Sequence, residues 1–103
     1  MYRQGDVLII PVKSIPKKLT EVERENDRVI LAHGEVTGHA HAICSPKVTM
    51  FREDGSGGGL YLVANGPAEI VHEEHATVAL PKGLYQVRRQ VEYTPEAVRN
   101  VAD

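Results

Sequence analysis

Four of the five histidines fall into two tight pairs, His39-Ala40-His41 and His72-Glu73-Glu74-His75. Imidazole suits zinc, copper, iron and nickel, whereas carboxylate-rich sites favour magnesium, calcium or manganese. Residues two apart on a strand share a face, with side chains separated by roughly 6.5–7 Å. His39 and His41 could then lean onto one ion at Zn–N distances of about 2.0–2.1 Å. The second pair admits two geometries. If Glu73-Glu74 is a two-residue hairpin turn, His72 and His75 face each other with Cβ atoms about 4.5–5.5 Å apart. If Ala68 to Ala76 is a helical turn instead, positions three apart again share a face. Both assignments put the two rings on one side.

Brought together by folding, His39, His41, His72 and His75 would supply an imidazole set for a divalent transition metal, zinc or iron. Four ligands close a tetrahedral shell and make the ion structural. Three leave a position for water, whose pKa falls toward ~7 on zinc and yields a hydrolytic nucleophile. Iron there would support oxygen chemistry. HEEH is one residue short of HExxH, so the zinc-protease helix motif is absent. The plain alternative is a solvated histidine cluster with no ion.

Glu35, Glu73 and Glu74 stand near the pairs. Each is a candidate carboxylate ligand, ligand-orienting partner or general base, set against an ordinary solvated charge. His33 reads as a surface residue. Cys44 has strand parity opposite to His39 and His41 and is expected as a small buried core residue. Gln86, Arg88 and Gln90 share a face that either lines a cavity or is the wet side of an edge strand.

About eight short strands separated by turn chemistry must position these groups. The first spans Asp6 to Val12, and its unbroken Val7-Leu8-Ile9-Ile10 predicts burial on both faces; Pro11 predicts an edge or bend. Ser14 to Asp27 reads as a loop, with a helical turn open over Leu19 to Glu25. Arg28 to His33, Gly38 to Cys44 and Lys47 to Arg52 follow as strands. Glu53 to Gly59 reads as a glycine-rich hairpin connection, which lacks the Lys-Ser or Lys-Thr ending of a phosphate loop.

Leu60 to Ala64 and Ala68 to His72 flank the turn Asn65-Gly66-Pro67, and Ala76 to Leu80 and Leu84 to Tyr93 flank Pro81-Lys82-Gly83. The last strand places Tyr85, Val87, Arg89, Val91 and Tyr93 on one face. A short C-terminal helix is expected, capped by Thr94 with Pro95 at its first position. The pattern predicts a mainly β fold, a small antiparallel β-barrel or sandwich, in a single domain over residues 1–103.

At 103 residues there is room for one core, and 42% hydrophobic with 25% charged residues is ordinary for a globular protein. A formal net charge of −2 provides no field to draw nucleic acid or an anionic membrane. Lys17-Lys18 and Arg88-Arg89 read as solvated surface. Cys44 is the lone cysteine, so no intrachain disulfide calls for an oxidising compartment. No secretory leader is visible, and the apolar run from Val7 to Val12 is far too short to span a bilayer. A cytoplasmic protein is expected.

The strings GEVTGHAH from Gly34, HEEH from His72 and LPKGLYQVRRQVEYTPE from Leu80, with the opening YRQGDVLIIPV, resemble a family of small uncharacterised bacterial proteins. Gly34 with His39-Ala40-His41, and Pro81-Lys82-Gly83-Leu84-Tyr85-Gln86, are loosely similar to cupins, which bind metals through histidines in a β-barrel. No Glu follows His41 at the cupin interval, and Gln86 stands where the last cupin histidine would be. Two functions fit these residues. One is a metal-binding β protein whose centre is either structural or a hydrolytic or oxygen-chemistry centre open to a small-molecule ligand. The other is a non-enzymatic accessory module using sheet edges and the Gly57-Gly58-Gly59 loop to hold a protein partner or a second copy.

Overall fold

Ten strands form two antiparallel sheets in a computed structural model that describes residues 1–34, 36, 38–55 and 58–90. They are β1 (Tyr2–Gln4), β2 (Val7–Val12), β3 (Leu19–Glu21), β4 (Val29–His33) and β5 (Ala40–Ile43), then β6 (Val48–Glu53), β7 (Leu60–Ala64), β8 (Ala68–Val71), β9 (Val78–Leu80) and β10 (Gly83–Arg89). The larger sheet has the order β1-β2-β10-β7-β6-β3 and the smaller β4-β5-β8-β9. Neither closes on itself, so of the two expected architectures the sandwich stands and the closed barrel does not. The described residues contain no helix, and therefore none long and apolar enough to cross a membrane. The expected C-terminal helix lies outside the described residues.

One apolar cluster draws on both sheets. Val7, Ile9, Met50, Leu62, Tyr85 and Val87 come from the larger, Val29, Leu31, Ile43, Ile70 and Leu80 from the smaller. Their alternation is the period-two signal of a strand with one face on a core. In β10, Tyr85 and Val87 are buried while Arg88 is exposed. In β2 only Val7 and Ile9 are fully buried, and Leu8 and Ile10 are half-covered, short of the two-sided burial expected there. Pro11 follows the last β1–β2 pair, Tyr2 with Ile9, where its missing N–H costs no ladder bond on that side.

Several expectations change. β1 is a strand, although Tyr-Arg-Gln is too short and polar to announce one. It is made by pairing with β2 across the two-residue turn Gly5-Asp6. Leu19 to Glu21 is a strand, not loop or helical turn, because it adds to the free side of β6. The turn Asn65-Gly66-Pro67 carries the chain from one sheet to the other and closes no hairpin, since β7 pairs with β6 and β10 while β8 pairs with β5 and β9. β10 is an interior strand between β2 and β7, so the Gln86–Arg88 face is not the wet side of an edge. Cys44 is exposed just past the end of β5, where parity no longer constrains it. His33 is exposed, as expected, with Nε2 3.4 Å from Glu25 Oε2.

Candidate metal centre

One end of the sandwich gathers parts of the chain that are far apart in sequence. The β1–β2 turn, the β4–β5 connection, the first residues of β5, the β8–β9 connection and the last residue of β10 surround a cleft of about 350 Å³. Its walls include Asp6, His39, His41, His72, His75 and Arg89.

His41 anchors the site. It lies on β5 two residues before the fully buried Ile43 and is itself only 3% exposed. A buried imidazole requires a partner, and Gln4 supplies it. The Gln4 amide nitrogen donates to the carbonyls of Ile70 (2.9 Å) and Ala76 (3.0 Å). Both are pure acceptors, so the amide orientation is fixed and Gln4 Oε1 faces His41 Nδ1 at 2.8 Å. A carbonyl oxygen can only accept, so Nδ1 carries the proton and Nε2 presents a bare lone pair. Ligand histidines in metal sites are held in this way by a hydrogen bond at the other nitrogen. Burial, and next the neighbouring His72, push the His41 pKa below its ordinary value and favour the neutral ring.

The HEEH segment is neither a two-residue turn nor helical. Residues 72–77 form an open connection between the paired strands β8 and β9. Glu73 ties it down: its Oε1 accepts the Ala40 N–H at 2.9 Å, and that bond holds the Glu73 carboxyl below its usual range. The connection brings His72 and His75 to His41. The ring centres are 4.3 Å apart for His41 and His72, 4.7 Å for His72 and His75, and 5.7 Å for His41 and His75. One nitrogen from each ring lies within 4.8 Å of the other two. The shared side expected for the pair therefore holds by a different route. His72 is not yet set for Nε2 ligation, because its Nδ1 accepts the Glu74 N–H at 3.0 Å and a neutral ring then carries its proton on Nε2.

His39 stands beside this trio without joining it. Its ring centre is 5.9 Å from that of His72, and Nδ1 lies 3.5 Å from Glu74 Oε1. That nitrogen is buried and makes no hydrogen bond among the described residues. The structure thus gathers three of the four expected rings. The order of the elements explains it, because His39 precedes β5 and strict strand alternation does not reach it. Glu35 lies outside the described residues.

Gln4, Gly5, Asp6 and Arg89 were not read in the sequence as parts of the site. Gln4 looked like an ordinary polar residue of a short terminal segment. Asp6 and Arg89 form an ion pair, with Asp6 Oδ2 accepting from Arg89 Nη2 (2.8 Å) and Nε (3.2 Å), while Oδ1 lies 3.9 Å from His41 Nε2. Desolvation works to raise the Asp6 pKa, but the Arg89 hydrogen bond and charge outweigh it and hold the carboxyl below its usual range. The φ of Gly5 is +59°, and a Cβ there would stand 2.8 Å from His75 Nε2. The turn can press against the rings only because that residue has no side chain.

The donors fit a borderline divalent ion: three imidazoles, one held by a hydrogen bond at its other nitrogen, in a cleft open to solvent. No curated protein and no solved structure matches the chain, cupins included. A family model does, over residues 3–90, which span every element that builds the cleft: the chain belongs to the family described as a domain of unknown function (DUF8820).

Proposed function

We propose that this protein binds one divalent transition-metal ion, zinc or iron, through His41, His72 and His75. The observation that supports the reading most is the Gln4–His41 hydrogen bond. A buried amide uses both its N–H donors on backbone carbonyls and turns its oxygen to one imidazole nitrogen, which leaves the other nitrogen facing two further imidazoles. A solvated histidine cluster has no use for that arrangement. The open cleft favours an ion that meets small molecules over a purely structural one, with hydrolysis on zinc or oxygen chemistry on iron as the reaction classes. His39 and Glu74 sit at the rim of that cleft and would contact what enters it. The chain acts as one domain, and we place it in the cytoplasm.

Metal analysis of untagged protein tests this directly, alongside His41→Ala and His72→Ala variants. Near-stoichiometric zinc or iron in the parent and its loss in both variants is the expected result. Equal metal content in all three proteins would remove the proposal.

A second reading, an accessory module with a protein partner, draws on a different surface. A wider apolar cleft of about 720 Å³ is lined by Tyr2, Pro67, Val71, Leu80 and Pro81. A stable complex lost on Val71→Asp, with metal content below stoichiometry, would favour it.

A further inference from the structure

Asp6 is placed oddly for a simple surface ion pair. Arg89 engages only Oδ2, through two nitrogens. The other oxygen, Oδ1, is turned to His41 Nε2 at 3.9 Å. The Gln4 hydrogen bond occupies Nδ1, so Nε2 is the ring nitrogen turned to the cleft, and the oxygen of Asp6 that Arg89 leaves unused faces it. A carboxylate oxygen and a ring nitrogen so placed are within reach of a common cation. The distance is close to what one ion needs. At tetrahedral angles, ligand atoms about 2.0–2.2 Å from one ion lie roughly 3.3–3.6 Å apart. At 3.9 Å, His41 and Asp6 need to close by only a few tenths of an ångström.

From this geometry we infer that Asp6 is the fourth ligand of the ion held by His41, His72 and His75, and that Arg89 positions it. The inference rests on the metal-binding reading above. Asp6 does not yet lie within 4.8 Å of all three imidazoles. Its place in the two-residue turn Gly5-Asp6 lets a side-chain rotation bring Oδ1 inward while Arg89 keeps Oδ2. A shell of three nitrogens and one oxygen suits zinc, iron(II) or cobalt(II) and gives copper(I) none of the soft sulfur ligands it prefers. On zinc the four ligands complete a tetrahedron. On iron, which takes more ligands, the remaining positions face the cleft and are free for a small molecule.

Cobalt(II) titration of the full chain, read by absorption, provides the test. Asp6→Asn should weaken cobalt binding by at least about 100-fold, above the range for removing an orienting partner, and Arg89→Gln by about tenfold. Asp6→Cys should add a thiolate-to-cobalt charge-transfer band that the parent lacks. In parent protein carrying carboxyl-labelled aspartate, zinc should shift the Asp6 carbon resonance; this measurement decides alone if the variants do not fold. Tight cobalt binding by the parent, with unchanged affinity in Asp6→Asn, no new band in Asp6→Cys and an unmoved Asp6 resonance, overturns the assignment and leaves the three-histidine centre standing. A parent that binds neither ion overturns both.

Discussion

His41 and the His72–His75 pair reach the same point by opposite means. His41 is carried on a strand, buried, and held by one hydrogen bond to a side chain that is itself tied to two backbone carbonyls. The other two hang from a connection whose residues are largely exposed, pinned mainly by Glu73. On the metal-binding reading, one ring would be ready before an ion arrives and the pair would adjust. A site built this way would have a fixed post and a movable clasp. Its affinity would depend on both, and the stability of the metal-free fold on the post alone.

The largest test of that contrast is His41→Ala. It removes a ligand, opens a void and strands Gln4 Oε1, so both metal binding and about 2–4 kcal/mol of folding stability should go. His75→Ala should abolish tight binding equally while moving stability by no more than about 0.5 kcal/mol. Denaturation of metal-free protein and metal titration read the two effects separately. Equal destabilisation by both variants would erase the distinction.

Gln4→Met comes next. It keeps the volume but releases the His41 tautomer, and should weaken metal binding by about 10–100-fold. Gly5→Ala should cost about 1–2 kcal/mol from its left-handed backbone alone. It should also weaken metal binding, because a Cβ 2.8 Å from His75 Nε2 displaces the clasp.

The pH dependence follows from the post. His41 has a folded pKa below its ordinary 6.5, so the unfolded chain binds more protons at mildly acid pH. Its contribution to stability is complete above that value and declines as pH falls through it. The metal-free protein should therefore lose stability from about pH 7 toward pH 5. His41→Gln should flatten that slope, and chemical denaturation at several pH values measures it. The smallest expected effect lies in the clasp. Ligation through His72 Nε2 needs Nδ1 protonated, so the Glu74 N–H must let go, and its amide resonance should move on metal addition.

The strand pattern carried most of the fold. β7 keeps its expected bounds, and the inward parity of Tyr85 and Val87 in β10 is visible in the alternation alone. β1 and β3 were not legible, because three polar residues become a strand only when a partner offers an edge. The histidine pairs drew attention to the right part of the chain, but their spacing did not dictate the result: residues 72–77 are neither turn nor helix, and His72 meets His75 through an open connection. His39 shows the same limit: an expected alternation fails when the strand begins two residues later, at Ala40. Arg89 shares the inward parity of Tyr85 and Val87, yet nothing local said that the strand would end there beside Asp6. Gln4 was invisible for a similar reason. Its three partners arise from contacts across the whole chain, which no window of sequence contains.

Those partners are separated from Gln4 by 37, 66 and 72 residues. The arrangement around His41 consequently cannot form before the chain has folded through Ala76, because it needs β1, β5, β8 and the residues beyond β8 in place together. An ion that binds only the finished arrangement also rewards it, by about 2.7 kcal/mol when free metal stands at 100 times the dissociation constant. On the proposed reading, metal uptake would thus report that residues 4 to 76 have come together.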